Sequence, residues 1–190
     1  MKKWFALLLA GGLAAAGFAE DLDLVPTSWY TGVSGGMLLP GNGNTLKRAG
    51  EVSFRGGCGI WDDVASVELE GICAPNVSTH AGNEALSGVA ARFIFHLNGI
   101  EEFDKLFGCE RFDPYLSVAD MMRFGARHAF ADRSHRTALG KTFGIGALYH
   151  LTDNLAIRFD AQAMVAFDSP CGMLYSVGLG LQWTFGGCGE

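Results

Sequence analysis

No stretch beyond the first few residues is long and apolar enough for a membrane helix, which needs about 20 consecutive apolar residues. The run from Trp4 to Leu13 comes nearest and is too short. The five cysteines contain no C-x-x-C pair, which argues against the common zinc and redox motifs. The 27 glycines follow no triplet period, which excludes collagen. There is no basic excess, the formal net charge being −6, and this argues against nucleic acid as a partner. No catalytic signature occurs, so an enzyme is not expected, and neither is a cofactor or a metal.

What is present begins with Met1-Lys2-Lys3, the short apolar run, and small residues to Ala19. This pattern reads as a cleaved secretory signal peptide over residues 1–19, leaving one domain over 20–190. A positive mean hydropathy without a membrane helix points instead to alternating strands in lipid. The stretch Leu174 to Phe185 shows the pattern most clearly. Tyr175, Val177, Leu179, Leu181, Trp183 and Phe185 fall on one face, and Ser176, Gly178, Gly180, Gln182 and Thr184 on the other. Small inner side chains suit a narrow closed barrel. The terminal aromatics suit a girdle at a membrane interface.

Seven further alternating stretches precede it, at roughly 29–39, 51–61, 64–74, 88–97, 115–124, 139–151 and 155–167. Residues 75–86 and 127–136 read as polar loops, Asp62-Asp63 and 152–154 as tight turns, and 100–113 as a short amphipathic helix. The expected fold is therefore all-β: an eight-stranded antiparallel transmembrane up-and-down barrel with a helix in the link between strands four and five.

Four segments carry a resemblance to the OmpA-like eight-stranded outer-membrane barrels: residues 29–36, Asp113-Pro114-Tyr115-Leu116, the pair of strands around Leu151-Thr152-Asp153-Asn154-Leu155, and the terminal strand. The resemblance implies residence in the bacterial outer membrane, with both termini on the periplasmic side. Its implied partners are outer-membrane lipid, the barrel-assembly machinery and surface ligands at the outer loops. Tyr175, Leu181, Trp183 and Phe185 match the terminal assembly signal of that family, although here Gly186 to Glu190 follow the last aromatic.

Alternation places Arg55, Glu68, Glu70, Arg92, Arg158 and Asp160 on inner faces. Centring the turns sets Arg55 opposite Glu70 and Leu148 opposite Arg158. Buried charges must pair, and eight strands leave a lumen that side chains fill, so a salt-bridge plug is favoured over an ion-selective pore. In this topology Cys109 and Cys188 share the periplasmic side and Cys73 and Cys171 the outer rim, so these pairs are candidate disulfides, with Cys58 left over. Connectivity is not readable from spacing alone. Asp120 falls in the lipid-facing phase of its strand, and a bulge turning it inward is expected. Arg127 to Arg136 holds His128, Asp132, Ser134 and His135, which read as solvated loop residues. The functional expectation is an integral outer-membrane protein with an envelope or surface role. A small porin-like channel and a lipid-modifying enzyme are the alternatives.

Overall fold

In the computed structural model, residues 28–41, 47–61, 64–79, 82–98, 111–125, 137–166 and 173–187 are described. They form eight strands: β1 (Ser28–Pro40), β2 (Ala49–Trp61), β3 (Ala65–Thr79), β4 (Gly82–His96), β5 (Phe112–Gly125), β6 (Thr137–Thr152), β7 (Leu155–Ala166) and β8 (Leu174–Gly187). Each pairs antiparallel with its sequence neighbours, and β8 returns to β1 to close the barrel. Closure leaves no unpaired edge. Strand β1 begins and β8 finishes at one end of the barrel, the terminal end; the opposite one is the far end.

The two-residue period decides which side chains leave the barrel. Phe54, Leu69, Phe143, Ile145, Phe159, Leu179 and Leu181 are all about half exposed or more on the outer wall. Their inward alternates are mostly buried. At the terminal end the outer wall turns aromatic, with Trp29 opposite Phe185, Trp183 opposite Leu155, and Tyr149 and Trp61 exposed nearby. The tight β6–β7 turn is held by Thr152, whose Oγ1 accepts from the backbone N–H of Leu155 at 3.1 Å.

Three details differ from the sequence reading. β3 and β4 run well beyond residues 74 and 88, so most of the expected 75–86 loop is a strand hairpin. Pro75 has no N–H for the ladder, and a register shift between Ala74 and Val77 accommodates it. β5 begins at Phe112 rather than Tyr115, which brings Asp113 into the sheet. Asp120 is not turned inward. The ladder runs through it without a bulge, pairing it with Ala91 and Lys141, and its carboxylate meets Lys141 Nζ at 2.7 Å on the outer wall. No helix occurs among the described residues, and the expected helix over 100–113 lies mostly outside them.

Candidate functional site: the barrel lumen

The lumen has three levels. At the far end it is apolar: Leu38, Val77 and Leu86 are at most 1 % exposed and pack with Ile72, Met121 and Leu174. Large apolar residues on the inner wall were not expected, because the reading emphasised the small inner face of β8. Set into this level is a second ion pair that the sequence reading missed. Arg123 Nη2 donates to Glu51 Oε2 at 3.0 Å, and Ser176 Oγ donates to Glu51 Oε1 at 2.6 Å. β2, β5 and β8 supply these groups across the lumen, so no strand-pair register could have revealed the contact.

The middle level joins all six charged residues expected inside. Register sets Arg55 opposite Glu70, Glu68 opposite Arg92, and Leu148 opposite Arg158. Asp160 is the hub. Its carboxylate meets Arg55 Nη1 at 2.7 Å, Arg158 Nε at 3.1 Å and Arg92 Nη1 at 3.3 Å, and it accepts the Tyr115 hydroxyl at 2.6 Å. Glu70 takes Arg55 Nη2 at 3.3 Å and also pairs with Arg92. Glu68 takes Arg158 Nη1 at 2.5 Å. Arg55 further donates to Ser34 and Ser53, and Arg158 to Gln182. Three arginines meet three carboxylates, so the cluster is formally neutral. A gap of about 10 Å³ beside it has room for roughly one water.

The inner wall is shaped to admit this cluster. Tyr30 and Tyr115 point into the lumen, and each lies over a glycine of a neighbouring strand. A Cβ on Gly57 would stand 2.6 Å from the Tyr30 ring, and one on Gly146 would also collide with Tyr115. The Arg158 guanidinium lies 5.0 Å from the Tyr115 ring centroid, within cation–π range.

Among the described residues the terminal-end level is open: a vestibule of about 740 Å³ lined by residues that include Ser66, His96, Asp113, Leu148 and Gln182. His96 Nδ1 lies 2.6 Å from Asp113 Oδ2, and His96 Nε2 lies 3.1 Å from Ser66 Oγ. The Tyr30 hydroxyl donates to Ser66 Oγ at 3.4 Å.

Among the remaining expected residues, Tyr175, Leu181, Trp183 and Phe185 all project from the outer wall of β8. Cys73 is a free, exposed thiol on the outer wall, six residues short of the end of β3. Its expected partner Cys171 falls outside the described residues. Cys58 is also a free thiol. Cys109, Cys171, Cys188 and the 127–136 loop lie outside the described residues. The described residues contain no cluster of metal-binding side chains.

No family model matches the sequence, and no curated protein matches it. Solved structures do share the fold. Neisserial surface protein A superposes with a TM-score of 0.62 at 11% identity, over 83% of this chain and 97% of that one. The attachment invasion locus protein of Yersinia pestis, in complex with the heparin analogue sucrose octasulfate, gives 0.51 at 11% identity, over 83% of this chain and 97% of its own. A major outer membrane protein from Thermus thermophilus gives 0.50 at 13% identity, over 83% and 99%.

Proposed function

We propose that this chain is an integral protein of the bacterial outer membrane, with a structural or surface-contact role and a lumen closed to solutes. One observation carries the reading: a closed barrel wears most of its large apolar residues outside and a buried charge cluster inside. Water would penalise an outer wall bearing Phe54, Leu69, Ile145 and Trp183 at more than half exposure. Lipid welcomes the same wall, and the strands of 12 to 16 residues exceed the roughly 9–11 needed to cross. The aromatic collar at the terminal end sits where a membrane interface would hold it. Fold likeness to outer-membrane barrels supports the location.

The filled lumen favours a non-conducting protein over the porin alternative. In planar bilayers the purified barrel is expected to show no steady conductance. In a semi-native gel it should migrate differently before and after boiling. Extraction from membranes by salt alone, or a stable open channel, would overturn the corresponding half of this reading.

A further inference from the structure

The Ser66, His96 and Asp113 side chains are not part of the central charge cluster. They come from three consecutive strands, and their inward positions are diagonal neighbours: Ser66 pairs with Ile94, two residues from His96, and His96 pairs with Tyr115, two residues from Asp113. Diagonal inner positions approach one another when strands tilt around a barrel. The result is one continuous hydrogen-bonded chain, from a carboxylate through an imidazole to a hydroxyl.

Its polarity follows from the donor inventory. An ionised Asp113 can only accept, so His96 Nδ1 carries the proton that points at it. The neutral ring then has a lone pair on Nε2, and Ser66 Oγ–H is the donor within 3.1 Å. This is the arrangement that activates a serine: a base against the hydroxyl, held in the required tautomer by a carboxylate. The Tyr30 hydroxyl, 3.4 Å from Ser66 Oγ, is the O–H that the geometry offers to a developing oxyanion. The site opens to the vestibule at the terminal end, whose wall adds the apolar Ala65, Leu148 and Leu151.

We infer that Ser66 is a nucleophile for carboxylic esters, with His96 as its base and Asp113 as the residue that positions His96. Ser66 Oγ bonds to the carbonyl carbon while its proton passes to His96 Nε2. The bond to the leaving oxygen breaks, and that oxygen takes the proton and departs as an alcohol. Water then attacks the acyl-Ser66 carbon, giving a proton to His96. Release of the carboxylic acid returns the proton to Ser66. An ester and water thus become an acid and an alcohol. The acyl part is expected to be small or a single chain, because Tyr30, Tyr115 and the charge cluster close the inner end of the vestibule.

The test treats the folded full-length barrel in detergent micelles with a fluorophosphonate, followed by peptide mapping, and separately with p-nitrophenyl acetate. The expected adduct is on Ser66. Ser66→Ala should lose both the adduct and the ester turnover, whereas Ser87→Ala should match the parent. His96→Gln should slow labelling at least ~100-fold, as loss of a general base does. Asp113→Asn should slow it while retaining the gel shift of a folded barrel. A folded parent without an adduct at Ser66, or labelling at an equal rate in His96→Gln, would sink the inference. Because the gel shift reports folding separately, the barrel reading stands or falls independently of this chemistry.

Discussion

Asp160 is the position where the charge cluster is most exposed to test. Replacing it with Asn keeps the volume but removes the charge that faces Arg55, Arg92 and Arg158 at 2.7–3.3 Å. Three arginines would then share two glutamates, leaving one uncompensated positive charge in a lumen where these side chains are at most 5 % exposed. The Asn amide also presents N–H groups to guanidinium N–H groups, so one or more contacts become donor against donor. Breaking a buried ion pair by removing one partner costs about 3–5 kcal/mol. With a urea dependence of about 2 kcal/mol/M, the unfolding midpoint should fall by roughly 1.5–2.5 M. Tryptophan fluorescence in micelles, with gel mobility as a second probe, reads this directly. A rebalanced partner separates charge from packing. Asp160→Asn with Arg92→Met leaves Arg55 on Glu70 and Arg158 on Glu68, neutral again. The double variant should therefore lose less than the two singles added together, by about 1 kcal/mol or more. A midpoint for Asp160→Asn near that of the parent, or strictly additive losses in the double variant, would refute the account of a neutral, mutually dependent cluster.

Three further outcomes follow from local geometry. Lys141→Ala strands the Asp120 carboxylate on the outer wall, and should cost about 1 kcal/mol near an interface and more toward the bilayer centre; replacing both by Leu should restore or exceed the parent unfolding midpoint. Gly146→Ala drives a Cβ into the Tyr115 ring and the backbone oxygen of Phe159, and should lower the midpoint by the equivalent of about 1–3 kcal/mol, whereas Gly35→Ala and Gly50→Ala, with nothing within 4 Å, should stay within about 0.5 kcal/mol. Cys73 should take up N-ethylmaleimide in the non-reduced, folded barrel, read by peptide mass; a Cys73–Cys171 linked peptide instead would contradict the free thiol.

The barrel was legible because period-two alternation is a local signal, and a closed barrel repeats it on every strand. The inner charges followed from the same phase, and tight turns made two registers readable, Arg55 opposite Glu70 and Leu148 opposite Arg158. Failures began where the phase is interrupted. Pro75-Asn76 looked like a loop opening, yet a bulge absorbs both residues and the phase resumes at Val77. Asp120 looked misplaced because its partner Lys141 lies beyond a long link, which no turn-centring could bridge. The Glu51–Arg123–Ser176 contact and the far-end apolar packing cross the lumen, and pairwise strand registers carry no information about that direction. Ser66 and His96 share the inward phase of Glu68 and Arg92 on their strands. Their link to Asp113 stayed hidden, because Asp113 joins the sheet only when β5 starts at Phe112.

The middle and terminal-end levels of the lumen are not independent, and two tyrosines stand at their boundary. Tyr115 donates to the hub Asp160 at 2.6 Å and accepts from Arg158 Nε at 2.7 Å, while its ring centroid lies 6.0 Å from that of His96. Tyr30 sits at the same boundary, donating to Ser66. The charge cluster therefore serves as the floor on which the Ser66–His96–Asp113 chain is positioned, and it separates that chain from the far end. Each ring reaches the lumen only because the facing strand carries a glycine, Gly57 under Tyr30 and Gly146 under Tyr115. A plug required only to fill space could have been largely apolar, as the far-end level is around its single ion pair, with Leu38, Leu86 and Ile72. Replacing a buried ion network by apolar side chains is often neutral or stabilising, so stability alone does not account for charges in the middle. Their positions do: the network fixes Tyr115 beside His96 and holds Gln182 by its Oε1 at the vestibule wall. The vestibule, with room for a ligand, is thus walled on its inner side by a buried, hydrogen-bonded charge cluster, which is the setting in which a hydrogen-bonded serine keeps its geometry.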